Sequence, residues 1–166
     1  LTGLPSLRLG KDRLTSAVAH ADRHESKTAL MFVDLDGFKE VNDTIGHDAG
    51  DEVLISVARR LTDCVRATDT VARIGGDEFT VVITEVLDIE DIANVAKKII
   101  SSISEPFILS DGAAKTTIGA SVGIAIYPDH GKNAEALVRL ADKAMYTVKR
   151  RGKNNYVFVH EIDPED

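Results

Sequence analysis

Between two β-rich runs, Val71-Ala72-Arg73-Ile74 and Phe79-Thr80-Val81-Val82-Ile83, stand two glycines and two carboxylates, Gly75-Gly76-Asp77-Glu78. Two such runs joined by a Gly-Gly pair read as a β-hairpin with a tight reversal. Glycine permits the positive φ that the reversal needs, and it leaves no Cβ in the way of a bulky ligand. Asp77 and Glu78 then project from the tip. Gly and Asp are also common in ordinary solvated turns, so the string alone leaves both readings open.

A second constellation narrows the choice. The apolar run Ala29-Leu30-Met31-Phe32-Val33 has the character of a buried central strand, and it ends in Asp34-Leu35-Asp36-Gly37-Phe38-Lys39. Asp34 therefore leaves the core at the carboxyl end of a strand, where open α/β sheets bind their ligands. Mg²⁺ takes one or two protein carboxylates together with substrate phosphates and water. Asp34 with Asp77 or Glu78 would supply such a set if strand and hairpin are sheet neighbours. Asp36 is expected to cap the helix that follows.

The periodicity of apolar residues gives the architecture. Leu14, Ala17, Val18 and Ala21 share one helical face before the strand near residues 28–34, and Phe38, Val41 and Ile45 suggest a short helix. Leu54, Val57, Ala58, Leu61 and Val65 mark a longer one, followed after the hairpin by Ile92, Ala96, Ile99 and Ile103. Residues 107–109 and 116–127 read as strands around a turn at Asp111-Gly112. A last helix carries Leu137, Leu140, Ala141, Ala144 and Val148, and residues 156–159 read as a closing strand. The expected class is α/β in the α+β sense, a two-layer sheet-and-helix domain.

Composition limits the alternatives. The 166 residues suit one domain with a real core, and no apolar stretch approaches the ~18 residues of a membrane span. A net charge of −7 argues against a general nucleic-acid surface. The single cysteine, Cys64, sits in a helical pattern as a packing thiol, which fits a reducing cytoplasm. The expected unit is residues 1–160, followed by an acidic tail or linker at 161–166, cut from a longer multidomain protein whose full length could be membrane-anchored.

The two constellations together resemble the GGDEF family of diguanylate cyclase domains, and the resemblance runs through nearly the whole chain. Leu1-Thr2-Gly3-Leu4-Pro5, Asp34 to Asp43, Gly46 to Asp51, Ser121 to Ala125, Ala141 to Tyr146 and Lys149 to Asn154 follow in the family's order. One departure is Ser6-Leu7, where the family usually has Asn-Arg. The resemblance implies a palm-like nucleotide cyclase core with a central, mostly antiparallel sheet flanked by helices. It implies condensation of two GTP into cyclic di-GMP with release of two pyrophosphates. Asp34, the Leu35 carbonyl, and Asp77 or Glu78 would hold Mg²⁺ or Mn²⁺, with Asp77 the leading proton acceptor and Glu78 the other candidate.

By the same resemblance Asn42 and Asp51 read guanine, His47 lies near the ribose, and main-chain amides around Gly37, Phe38 and Lys39 meet the phosphates. Lys149 and Lys153 supply cations, Lys153 standing where arginine is often found and so lacking its bidentate fork. A helix C-terminal lysine such as Lys149 also complements its own helix dipole. Arg66-Ala67-Thr68-Asp69 has the family's spacing for a product-inhibition site, although a helix-terminal ion pair is the ordinary reading of that pattern. Further implications are a homodimer for catalysis, a fused sensor, a C-terminal effector domain, and no nucleic acid polymer as partner. A non-catalytic receptor for GTP or cyclic di-GMP is the alternative; a cyclase making an adenine-containing dinucleotide is disfavoured by Asn42 with Asp51.

Overall fold

The structure, a computed structural model, describes residues 1–110, 112 and 115–163. Chain order is α1 (Leu7–His24), β1 (Lys27–Asp36), α2 (Phe38–Thr44), α3 (His47–Asp63), β2 (Thr70–Gly75), β3 (Glu78–Val86), α4 (Ile89–Ile103), β4 (Phe107–Ile108), β5 (Lys115–Thr116), β6 (Gly119–Tyr127), α5 (Ala134–Arg150) and β7 (Asn155–Phe158). A short 3-10 turn, Val159–Glu161, follows β7.

The apolar run that opens β1 makes it the central strand of a five-stranded sheet ordered β2-β3-β1-β6-β7. Its neighbours β3 and β6 both run antiparallel to it, while β7 runs parallel to β6. Side chains alternate across a strand, and here both faces are buried. Met31 and Val33 face α3 and α4 with Phe79, Val53, Val57 and Ile99, whereas Leu30 and Phe32 face α1 and α5 with Leu14, Leu137 and Met145. The expected central sheet flanked by helices is present, with helices on both faces, a third layer that alternation along the chain does not show.

Four local expectations change. Val65, expected to mark the long helix, lies beyond α3, which ends at Asp63 with Cys64 as its cap. Ile45 caps α2 and is exposed, because the helix ends at Thr44 before its third apolar position turns inward. The run at 116–127 divides into β5, paired only with β4, and β6, which joins the main sheet. Asp36 does not cap α2: Gly37 takes the N-cap position with φ 84°, and no side chain bonds the free amides there. The expected turn at Asp111 and the end of the acidic tail lie outside the described residues.

Two glycines permit close packing. Gly10 of α1 faces β2, where a Cβ would stand 2.8 Å from the Ala72 Cβ. Gly123 of β6 lies under α5, where a Cβ would stand 2.1 Å from the Ala141 carbonyl oxygen and 2.2 Å from the Met145 nitrogen.

Candidate active site

The register of β1 against β3 places Asp34 directly opposite Glu78. Opposed residues carry their side chains on one face of the sheet with Cβ atoms about 5 Å apart. The chain reverses at Gly76-Asp77, and the Leu35 amide donates to the Asp77 carbonyl at 3.1 Å, so the hairpin tip is tied to the end of β1. Gly75 and Gly76 have φ of 149° and 49°, as the reversal requires. The Arg73 guanidinium, which sequence reasoning did not single out, donates from Nε and Nη2 to the Gly76 carbonyl at 3.1 and 2.9 Å and braces the tip.

The carboxylates gathered here oppose one another's ionisation. Asp34 is pushed up to about 6, first by burial and then by the charge of Asp77, with Glu78 adding to it and Lys149 opposing. Glu78 is raised by burial and by Asp142 and Asp77. Burial raises Asp142 as well. Sites where burial and like charge raise carboxylates in this way are suited to binding a cation.

Lys149 near the end of α5 places its Nζ 2.6 Å from Asp36 Oδ1 and 3.6 Å from Asp34 Oδ1. Asp36 is 8% exposed. Its Oδ1 also accepts from Ser121 Oγ at 2.8 Å, and its Oδ2 from the Asn154 amide at 2.9 Å. Lys149 is therefore engaged by side chains of β1, beyond any effect of its own helix dipole. Lys153 is exposed in the turn after α5.

Asn42 and Asp51 come from α2 and α3. Asn42 is half-buried and presses on Gly50, where a Cβ would fall 1.9 Å from Asn42 Oδ1; Asp51, the next residue, is exposed. Gly50 was not recognised from the sequence as the residue that makes room for Asn42. His47 is exposed at the start of α3. The Phe38 side chain is buried, which leaves only its main chain open to a ligand, while Lys39 is exposed.

Arg66 and Asp69 precede β2, whereas Asp77 follows it, so the strand's six residues separate them by about 20 Å. Asp69, its side chain 3% exposed, accepts from the Arg66 and Thr84 amides and pairs with the Arg66 guanidinium at 3.3 Å. The ordinary ion-pair reading thus holds in the free chain, yet Arg66 remains 57% exposed. It borders a cavity of about 490 Å³ also lined by Asp69, Cys64, Leu87, Asp91 and Lys98. The carboxylates at the hairpin tip lie at the end of the sheet, away from that cavity.

The ordered set of motifs is matched across the chain by a family model. It is described as "Diguanylate cyclase, GGDEF domain" and covers residues 1–155. The chain belongs to the GGDEF family.

Among curated relatives, the bifunctional diguanylate cyclase/cyclic di-GMP phosphodiesterase MucR of Pseudomonas aeruginosa is 46% identical over 158 residues, 95% of this chain. The diguanylate cyclase TpbB of the same species is 40% identical over 164 residues, 99% of this chain. The chain spans only 23% and 38% of the length of these two. The crystal structure of the TpbB GGDEF domain superposes with a TM-score of 0.94 at 39% identity, covering 98% of this chain and 100% of that one. The GGDEF domain of DgcB from Caulobacter crescentus, solved in complex with c-di-GMP, gives 0.89 at 27% identity, covering 96% and 94%.

The donor set fits a hard divalent cation of the kind GGDEF domains use. It comprises oxygen ligands only, Asp34, Asp77, Glu78 and the main chain at Leu35, at the end of a buried strand. Among the described residues no three His, Cys, Asp or Glu side chains converge to hold an ion by themselves. A cation here would complete its shell with oxygens from outside these side chains.

The clustered carboxylates weigh on the fold with a definite sign. Asp34 holds its proton more tightly folded than unfolded, because its folded value of about 6 lies above the 3.8 of an unperturbed aspartate. Stability from this group is full below pH ~4 and is lost as pH rises through ~6, on the order of 2 kcal/mol once solvent screening of the half-buried group is allowed for. Asp34→Asn should therefore melt close to the parent at pH 4 and several degrees above it at pH 7.5. Equal melting temperatures at both pH values in thermal denaturation would contradict this.

Proposed function

We propose that this domain is a diguanylate cyclase that joins two GTP into cyclic di-GMP. The observation that carries the reading is the pairing of Asp34 with the Asp77-Glu78 tip across β1 and β3 in a GGDEF domain that keeps Asn42, Asp51 and Lys149. In each half-reaction the 3′-hydroxyl of one GTP attacks the α-phosphorus of the other, the bond to pyrophosphate breaks, and pyrophosphate leaves. A divalent cation (Mg²⁺ or Mn²⁺), when bound, neutralises phosphate charge and favours the alkoxide. Asp34, the Leu35 carbonyl and Asp77 or Glu78 would hold it. Asp77 or Glu78 takes the hydroxyl proton, Asp77 being the leading candidate. Lys149, Lys153 and amides from Gly37 to Lys39 bind phosphate.

One site holds one GTP, so two domains must face each other in a two-fold pair. Incubating the purified domain with GTP and Mg²⁺ at high protein concentration, with mass-spectrometric detection of cyclic di-GMP, tests the reading. A protein that binds cyclic di-GMP tightly but makes none, even when held as a dimer, is a receptor instead.

Asn42 and Asp51 read the guanine edge in this account. A carboxylate accepting from guanine N1–H and N2–H makes a charge-assisted pair that adenine cannot. Asn42→Ala should lower the preference for GTP over ATP by tenfold or more. Competition binding measures this, and an unchanged GTP/ATP ratio would remove Asn42 from base reading. His47, close in sequence between them, is assigned to the ribose.

Product regulation is assigned to Arg66 with Asp69. The exposed guanidinium beside a 490 Å³ cavity supports it, and DgcB shows that a related GGDEF domain binds c-di-GMP. Asp69 is filled by main-chain amides, so it orients the loop while Arg66 meets the ligand. Arg66→Ala should weaken inhibition by added cyclic di-GMP at least tenfold with initial turnover retained; identical inhibition curves would refute the site. The protein acts at or within the cytoplasm in this reading, joined to a sensor and an effector domain, and no helix of the described residues is long and apolar enough to cross a membrane.

A further inference from the structure

A carboxylate with no role in the account above sits at the centre of the site's polar network. Asp36 is two residues beyond Asp34 on β1 and, by strand alternation, on the same face. Both carboxylates lie within reach of a single ammonium. Lys149 Nζ is 2.6 Å from Asp36 Oδ1 but 3.6 Å from Asp34 Oδ1, so the contact bond goes to Asp36 and only the longer one to Asp34.

We propose that Asp36 is a positioning residue, whose buried carboxylate holds the Lys149 ammonium clear of Asp34 so that Asp34 stays free for a divalent cation. The inference rests on the assignment of Asp34 to the metal and Lys149 to phosphate. It goes beyond that assignment by explaining how a lysine and a metal ion share one carboxylate edge without the lysine occupying the metal's place.

Asp36 is built for the task. Ser121 Oγ from β6 and the Asn154 amide from the turn after α5 fix both of its oxygens, so the carboxylate cannot rotate toward solvent. The space is shaped to it. Gly119 lies where a Cβ would stand 3.2 Å from Asp36 Oδ2 and 2.8 Å from Asn154 Oδ1. A buried charge that loses its partner is strongly penalised, so the Asp36–Lys149 pair persists when other cations come and go.

The same carboxylate reaches the second cation of the site. Gly152, Lys153 and Asn154 all have positive φ, at 119°, 67° and 49°. Such a run needs the surroundings to impose it. The Lys153 amide donates to the Val148 carbonyl at 2.9 Å, and the Asn154 amide is taken by Asp36. Asn154 Oδ1 further accepts from the Ala120 amide and from Ser104 Oγ. One residue of β1 thus sets the direction of Lys149 and the turn that carries Lys153.

The test uses Mn²⁺ alone, with free Mn²⁺ read by electron paramagnetic resonance and no nucleotide present. Parent and Asp34→Asn define the site: the parent should bind more tightly. In Asp36→Asn the amide keeps the Ser121 and Asn154 contacts but not the charge, Lys149 turns to Asp34, and Mn²⁺ affinity falls about tenfold. The double variant Asp36→Asn/Lys149→Met should regain affinity to within twofold of Lys149→Met, because the displaced ammonium is gone.

A merely structural Asp36 predicts that both Asp36 variants bind alike and weakly, which would overturn the proposal, as would Asp36→Asn binding like the parent. If the parent binds no better than Asp34→Asn, the metal assignment itself fails, and the inference with it, a result visible before any Asp36 variant is made. Circular dichroism checks folding. Should Asp36→Asn not fold, Ser121→Ala, which removes one of the bonds that fix Asp36, takes its place: Mn²⁺ binding several-fold weaker than the parent and restored by adding Lys149→Met sustains the proposal, and parental binding, or weak binding that Lys149→Met does not restore, overturns it.

Discussion

For the proposed cyclase, Asp77→Asn should lower cyclic di-GMP synthesis by about three orders of magnitude and leave the fold in place. The expected loss follows from charge: an amide of nearly the same shape neither accepts the hydroxyl proton nor compensates a divalent cation, and removal of one such group typically costs a hundred- to thousandfold or more. The expected stability follows from the way the tip is held. Its fixed points are the Leu35 amide on the Asp77 carbonyl and the Arg73 guanidinium on the Gly76 carbonyl, both made to main-chain oxygens. They survive the substitution. Asp34 moreover loses a like-charged neighbour, so its carboxyl should become easier to ionise. Pyrophosphate release with GTP, read beside a thermal melt, checks both halves. Near-parental turnover would transfer the proton-accepting role to Glu78.

Gly123→Ala should cost more than about 4 kcal/mol or abolish folding. The added methyl would meet the Ala141 carbonyl oxygen at 2.1 Å and the Met145 nitrogen at 2.2 Å. Both are main-chain atoms of α5, so no side-chain rotation relieves the contact. The helix must lift from β6, and with it Leu137, Ala141 and Met145 leave the core they share with Leu30 and Phe32. Overpacking usually costs about 1–3 kcal/mol, and the larger figure reflects the missing means of adjustment. Gly131→Ala is the natural control. Its Cβ would come no closer than 3.2 Å, to the Ala136 side chain. Urea unfolding should show a shift of under about 1.5 kcal/mol there, and a Gly123→Ala midpoint equal to that of the control would contradict the argument.

The legible parts of this fold are those written in short-range pattern. The apolar run of β1, the Gly-Gly reversal and the helical spacing of Leu54, Val57, Ala58 and Leu61 each depend on neighbours a few positions away, and each element forms, the reversal one residue later at Gly76-Asp77 and the helix ending at Asp63 before Val65. Asp36 shows where that kind of reading stops. Next to a helix start it looks like a cap, but its partners Ser121, Lys149 and Asn154 lie 85, 113 and 118 positions along the chain. No local signal announces such a bond. Gly50 is similar, since only the packing of α2 on α3 reveals that its missing Cβ makes room for Asn42. The division of β5 from β6 was hidden because one β-rich composition runs through both. For Arg66 and Asp69 the sequence supplied the pair, and the structure divides its labour: one partner is buried under main-chain amides, the other is half-exposed with its guanidinium on Asp69 and the Thr84 carbonyl.

Arg73 joins two ends of the molecule that are otherwise distant in the chain. Its amide donates to the Pro5 carbonyl at 3.1 Å, and its guanidinium clasps the Gly76 carbonyl. The entry segment before α1 is thereby tied through one residue to the hairpin tip that bears Asp77. A displacement of that segment would meet the tip through these bonds of a single residue, with no packed side chain between them to absorb it.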